Sequence, residues 1–260
     1  MVTHASLFSG IGGFDLAAEW AGWTNMFNCE VDPFCRRVLA YHFPNAVQYE
    51  DIRTTDFTVW RGRIDILTGG FPCQPFSVAG KRKGTDDDRY LWPEMLRAIR
   101  EIRPSWVVGE NVRGFVNWSA GMVLDTVFAD LEALGYEVQP FVLPACAVGA
   151  PHRRDRVWIV AHRADAGAEG LRERKERAAR REAAVVAAKS PGSGNGQITS
   201  DWGKFPTQCP VCSRNDGLSA GMDGITFPAW RMQSIKAYGN AIAPQVFYQI
   251  AETINEYERS

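Results

Sequence analysis

Long apolar runs are missing from this 260-residue chain, and nothing in it approaches the roughly 20 residues that a membrane-spanning helix requires. The opening stretch "MVTHASLFSG" lacks the basic, apolar and small-residue regions of an export leader, so a cytoplasmic location is expected. An excess of one charge is also missing. The formal net charge is −1, which excludes a global basic field but leaves room for a local patch that meets nucleic acid. Cysteine is sparse. The six thiols, at 29, 35, 73, 146, 209 and 212, lie too far apart in too long a chain for a disulfide scaffold, so reduced side chains are expected. Cys209 and Cys212 form a lone C-x-x-C with no second pair at ligand spacing, and no metal site is expected. Internal repeats are absent too.

What is present is an alternation of short apolar runs with amphipathic stretches. "THASLF", "TNMFNCEVD", "RIDILTGG", "PSWVVGEN", "YEVQPFVLPA" and "RVWIVAHR" read as strands. "FDLAAEWAGW", "PFCRRVLAYHF", "RYLWPEMLRAIREIR" and "VLDTVFADLEALG" read as helices. Strands interleaved with helices imply βαβ units, hence an α/β fold with a doubly wound, mostly parallel sheet. The alternation stops after His162. In the stretch that follows, Arg172, Arg174, Lys175, Arg177, Arg180, Arg181 and Lys189 outnumber Glu173, Glu176 and Glu182, and "SPGSGNGQ" reads as a linker. Ordered character resumes near Trp202, and "SIKAYGNAIAPQVFYQIAETINEYE" reads as a loop leading into an amphipathic helix.

The candidate chemistry falls at strand ends. "SLFSGIGGFD" sets Gly10, Gly12 and Gly13 between the first strand and first helix, where a ligand can approach the backbone near a helix N-terminus. The spacing is not the G-x-G-x-x-G of dinucleotide sites. Glu30 follows the second strand, where a carboxylate can accept both hydroxyls of a ribose, and Asp51 precedes Ile52 where a further loop can meet an adenine edge. A nucleoside cofactor without a diphosphate is expected. Cys73, in "TGGFPCQPFSVAG", and Glu110, in "VVGENVRGF", each follow a strand at the same sheet edge. A thiolate and an acid in one cleft can add to an electron-poor ring and protonate it. Taken alone, Cys73 would read more readily as a buried small hydrophobe. In "PHRRDRVW", strand alternation points Arg154 and Arg156 to one face, which suits phosphate or base contacts or a surface ion-pair cluster with Asp155.

"LFSGIGGFD", "CEVDPF", "EDI", "GGFPCQPFSVAG", "ENV", "PHRRDRVWIVA" and "YGNAIAPQ" stand in the order of the motifs of C5-cytosine DNA methyltransferases of the bacterial or phage type, and the chain resembles that family. The resemblance runs from Leu7 to about residue 162 and resumes near residue 205. It implies the class I S-adenosylmethionine-dependent methyltransferase fold, with residues 1–162 catalytic and cofactor-binding. Residues 163–230 would be a small irregular target-recognition region, and 231–260 a segment returning to the catalytic domain. It further implies that Phe8, Gly10 and Gly12 line the pocket of S-adenosylmethionine, which leaves as S-adenosylhomocysteine. Glu30 would hold the ribose, Asp51 and Ile52 the adenine, and Pro72 and Asn240 would close the pocket. Cys73 would attack C6 of a flipped cytosine, Glu110 protonate N3, and Arg154 hold the carbonyl oxygen. Gln74, Ser77, Lys81, Arg82, Lys83, Arg156, Arg214 and Asn215 would contact double-stranded DNA. His152 stands where the family usually has glutamine. A monomer in a bacterial cell or phage-infected host is expected, and a cognate restriction enzyme would not need to bind it.

Three other readings stay open on the sequence: a related RNA methyltransferase, a catalytically dead DNA-binding relative, and a nicotinamide-dependent oxidoreductase. Intact Cys73, Glu110 and Arg154 oppose the second, and the glycine spacing opposes the third.

Overall fold

Every residue of the first strand is buried, and its side chains alternate between two helical layers. In the computed structural model, which describes residues 1–72, 90–163 and 227–259, the elements run β1 (Thr3–Leu7), α1 (Gly13–Trp20), β2 (Thr24–Cys29), α2 (Pro33–His42) and β3 (Val47–Tyr49). They continue through β4 (Ile66–Gly69), α3 (Trp92–Ile102), β5 (Trp106–Val112), α4 (Met122–Glu132), β6 (Tyr136–Pro144) and β7 (Asp155–Arg163). Two helices, α5 (Phe227–Asn240) and α6 (Pro244–Tyr257), follow. The sheet order is β3-β2-β1-β4-β5-β7-β6. β1 through β5 pair in parallel, while β7 runs antiparallel between β5 and β6.

Ala5, Leu7, Leu67, Val107 and Ile159 pack with Met95, Ile99 and Ile102 of α3 and Val127 and Leu131 of α4. On the opposite face, Ile66, Val108 and Trp158 meet Phe14 of α1 and Phe247, Ile250 and Ile254 of α6. Phe247 stacks on Trp158 at 6.2 Å and meets Phe14 edge-on at 4.9 Å. The last helix is thereby fixed to the sheet.

Local chemistry sets the helix starts. Asp32 caps α2 by accepting from the Phe34 amide at 2.9 Å, with Pro33 in the first turn. Gly12, at φ 85°, starts α1 from the left-handed region. A β-carbon there would lie 2.4 Å from the Phe43 ring, so the position excludes any side chain.

Two parts of the sequence reading change. "SIKAYGN", expected as loop, is helical through Asn240, because Ala237 and Trp230 of α5 pack on Phe34, Cys35 and Val38. β3 is three residues long, too short to leave an alternating pattern. The expected target-recognition segment from 164 to 226 lies outside the described residues.

Candidate active site

Because β1 and β4 are neighbours whose connections depart in opposite directions across the sheet, their carboxyl ends open a crevice, the usual ligand site of open α/β sheets. Phe8, Gly10 and Gly12 stand in the turn after β1, Glu30 after β2, Asp51 and Ile52 after β3, and Pro72 after β4. Phe8 holds a left-handed φ of 53°, and Gly10 one of 55°. A β-carbon on Gly10 would meet nothing within 4 Å, which leaves free space in front of the turn. Glu30 joins the turn directly: its carboxylate accepts from the Gly10 amide at 2.7 Å and from the Asp32 amide at 2.8 Å. Each oxygen keeps a lone pair for a further donor.

These residues fit a nucleoside-bearing cofactor at the glycine turn and Glu30. Two expected contacts are engaged elsewhere. The Asp51 carboxylate is held by the Arg53 guanidinium, with Nη2 at 2.7 Å, and that hydrogen bonding pulls its carboxyl below the usual range. The Ile52 side chain is buried in the core, and its carbonyl accepts from Arg97.

Glu110 lies in β5, nearly buried, with Oε1 at 2.9 Å from Arg156 Nε. Its Oε2 passes 3.4 Å from the point where a β-carbon on Gly70 would stand, which puts the carboxylate over the exit of β4. Burial raises the Glu110 carboxyl pKa, and the nearby Arg156 and Arg154 charges partly oppose that rise. The next residue acts on the same exit: Asn111 Nδ2 donates to the Phe71 carbonyl at 3.1 Å, two residues before Cys73.

The two arginines diverge. Arg156 pairs with Glu110, whereas Arg154, at φ 40°, donates through Nη2 to the Gly239 carbonyl at 3.2 Å and the Ala241 carbonyl at 2.5 Å. Those carbonyls flank Asn240, which is exposed at the end of α5. Ile242 then covers the glycine turn, with its Cγ1 2.7 Å from where a β-carbon on Gly13 would stand. At the rim, Asp155 pairs with Arg113 at 2.9 Å and with Arg153 at 3.0 Å.

Cys73, Gln74, Ser77, Lys81, Arg82, Lys83, Arg214 and Asn215 lie outside the described residues, as do Cys209 and Cys212. Cys29 and Cys35 are buried, and desolvation pushes both thiols up to about 12, so neither is poised as a nucleophile. Sequence reasoning named Gly13 in the turn but missed Asn111 and Ile242 as parts of the site. A polar residue inside the apolar run "WVVGENV" was the available signal for Asn111. Among the described residues, no helix is long and apolar enough to cross a membrane, and no cluster of three or more His, Cys, Asp or Glu suits a metal ion.

Comparison with known proteins follows this geometry. The chain is 41% identical over 167 residues to the type II methyltransferase M.Eco47II of Escherichia coli, covering 63% of this chain and 40% of that protein. To M.AquIA of Picosynechococcus it is 39% identical over 175 residues, covering 61% and 71% respectively. To M.HhaI of Haemophilus parahaemolyticus it is 34% identical over 160 residues, covering 61% and 48%. The matched region thus spans about 40% of M.Eco47II and about half of M.HhaI. Among solved structures, a DNA modification methyltransferase encoded in an E. coli prophage superposes with a TM-score of 0.54 at 27% identity, covering 63% of this chain and 47% of that one. The Dnmt2 methyltransferase of S. pombe shares the fold with a TM-score of 0.51 at 23% identity, covering 62% of this chain and 51% of that one. Residues 2–193 match the family model for C-5 cytosine-specific DNA methylases, and with that match over most of its length the chain belongs to this family.

Proposed function

We propose that the protein methylates C5 of cytosine in double-stranded DNA, through a covalent bond between Cys73 and C6 of a base turned out of the duplex. The observation that carries this reading is the Glu110 carboxylate. It is nearly buried, held by Arg156, and set over the strand exit that leads through Phe71 and Pro72 to Cys73.

C5 of cytosine is a weak nucleophile until addition at C6 breaks the aromatic system. The Cys73 thiolate forms the S–C6 bond as Glu110 gives its proton to N3. The upward direction of the Glu110 shift supports that role, since burial favours the protonated carboxyl that can give a proton. Arg156 orients the carboxylate. Asn111 fixes the Phe71 carbonyl, two residues before the nucleophile in the chain. C5, now enamine-like, is the carbon that accepts the methyl group. Loss of the C5 proton, expulsion of the thiolate and return of the N3 proton to the Glu110 carboxylate restore the ring and the acid. Extruding the base costs a few kcal/mol of stacking and pairing, which binding must offset.

S-adenosylmethionine, bound by the glycine turn and Glu30, would supply a methyl group on a sulfonium, an electrophile suited to a carbon nucleophile. Phe8, Gly10, Gly12, Pro72 and Asn240 are assigned to the pocket, and Asp51 and Ile52 to its adenine side. Arg154 is assigned to the carbonyl oxygen of the base, with its bonds to Gly239 and Ala241 holding it at the cleft. Gln74, Ser77, Lys81, Arg82, Lys83, Arg214 and Asn215 are assigned to DNA, with residues 163–230 reading its sequence. The likeness to type II methyltransferases supports a modification role beside a restriction enzyme, in the cytoplasm of a bacterium or infected host.

Bisulfite sequencing of unmethylated plasmid after incubation with the protein and S-adenosylmethionine tests the reading. Protection of cytosines in one short recurring site is expected, and Cys73→Ser is expected to abolish it while cofactor affinity stays unchanged. No protected cytosine, in folded protein that binds the cofactor, would transfer the substrate to another nucleic acid.

A further inference from the structure

Beneath the glycine turn lies a chain of polar groups that the mechanism above does not use. Asp15, in the first turn of α1, has no exposed surface, and Ser6 of β1 and Ser9 of the turn are almost as deeply buried. The Ser6 hydroxyl donates to both Asp15 carboxylate oxygens, at 3.0 and 2.9 Å. The Ser9 hydroxyl lies 2.6 Å from that of Ser6, and it accepts from the Cys29 amide at 3.1 Å. Ser9 is also tied through its backbone. Its carbonyl accepts from the Gly12 amide at 2.9 Å, and its own amide donates to the Cys29 carbonyl at 3.2 Å.

We infer that Asp15, Ser6 and Ser9 are positioning residues for the cofactor cradle: one directional hydrogen-bond chain, ending on Asp15, fixes the Gly10–Gly12 turn against the end of β2 that carries Glu30. This inference rests on the cofactor reading above.

The direction follows from proton counting. A hydroxyl has one proton to give, and a carboxyl oxygen that carries no proton accepts it whether or not the group is ionised. With Asp15 as the terminal acceptor, Ser6 donates to Asp15, Ser9 donates to Ser6, and the Cys29 amide donates to Ser9. Every link is then satisfied once. Without that acceptor the Ser6 proton turns back to the Ser9 hydroxyl, the direction of that link reverses, and the Ser9 proton passes to the Ser6 or Cys29 carbonyl, at 3.1 and 3.3 Å. Both loops of the cradle loosen together, because Glu30 follows Cys29 directly and its carboxylate holds the Gly10 amide. Burial makes the arrangement stiff, since a polar group released in a dry interior cannot turn to water.

The test measures affinity for S-adenosylhomocysteine and for DNA, each by titration, in four proteins shown to be folded: parent, Asp15→Ala, Asp15→Asn and Val127→Ala. Val127, on the buried side of α4 on the far face of the sheet, is a control for general core loosening. Asp15→Ala is expected to weaken cofactor binding about tenfold, the scale of one buried hydrogen-bond chain left open. Asp15→Asn keeps an acceptor for Ser6 and is expected to stay within about threefold of the parent. DNA affinity is expected to hold in all four. If Asp15→Ala fails to fold, Ser9→Ala replaces it, with an expected loss of about threefold to tenfold. Parent-like cofactor affinity in the folded Ala variant overturns the inference, as does an equal loss in Val127→Ala. A parent protein that binds no cofactor overturns the cofactor reading itself, and this inference with it.

Discussion

His4 and Asp15 should pull stability in opposite directions as pH changes, and single variants should separate the two slopes. His4 has no exposed surface; its Nδ1 lies 2.7 Å from Asn25 Oδ1 and its Nε2 2.9 Å from Thr68 Oγ1. Burial lowers its pKa from 6.5 to about 4, with the Asn25 hydrogen bond opposing. Below pH 6.5 the unfolded chain takes up a proton that the folded one refuses, so this contribution is lost as pH falls toward 4. Asp15 behaves in reverse. Burial raises its carboxyl from 3.8 to about 7, with the Ser6 hydrogen bonds opposing. The folded chain then holds a proton that the unfolded one has released, and stability is lost as pH rises through 7.

At about 1.4 kcal/mol per pH unit, the His4 contribution rises by about 2 kcal/mol from pH 5 to 7.5, while that of Asp15 falls by about 2.5 kcal/mol over the same span. The two nearly cancel in the parent. Urea unfolding of parent, His4→Gln and Asp15→Asn across that range reads each slope as a difference, so that surface carboxylates drop out. Asp15→Asn should gain on the parent by about 2.5 kcal/mol from pH 5 to 7.5, whatever its offset at the start. His4→Gln should lose about 2 kcal/mol relative to the parent over the same span. A pH-independent difference for either variant would refute the reasoning, because it would mean that the buried group keeps its ordinary ionisation.

Gly12→Ala should cost about 2–4 kcal/mol in urea unfolding, since the φ of 85° is strained for alanine and its methyl would overlap the Phe43 ring. Asn111→Ala should lower kcat about tenfold to a hundredfold, with cofactor affinity held, because the Phe71 carbonyl loses its donor two residues before Cys73. Arg156→Gln removes a charge that lowers the Glu110 pKa. The alkaline limb of its kcat–pH profile should therefore move to higher pH, and an unmoved limb would detach Glu110 from proton transfer.

The meeting of Gly10 and Glu30 was legible in the sequence because strand–helix alternation carries its own geometry. Once β1, β2 and β4 are read as parallel neighbours, the turn at Gly10 and the carboxylate of Glu30 must share one edge, and Glu30 indeed bonds the Gly10 amide. Residues that act across long separations left no local mark. Asn111 reaches a carbonyl forty positions earlier, and nothing in "ENV" names Phe71 as its partner. The Ser6–Ser9–Asp15 chain was hidden differently. "THASLF" reads as a strand, but nothing in it says that the Ser6 hydroxyl meets Ser9 and Asp15 once α1 covers that face. α5 escaped because Gly239 and Asn240 look like a loop, while the helix is held by its packing on α2.

The two arginines show how a correct local rule can give a wrong pairing. Alternation along a strand places Arg154 and Arg156 on one face, but only if both are in the strand. β7 begins at Asp155, and Arg154, at φ 40°, is still in the turn before it. Arg156 sits in register opposite Val112 and reaches Glu110, as strand geometry requires. Arg154 instead turns toward Gly239 and Ala241, beside the Ile242 that covers Gly13. The break in alternation therefore has a structural consequence. One strand start grips the candidate acid with one guanidinium and the wall of the cofactor turn with the other. With only Asp155 between the two arginines, the candidate acid and the wall of the glycine turn are tied to the same short stretch of backbone.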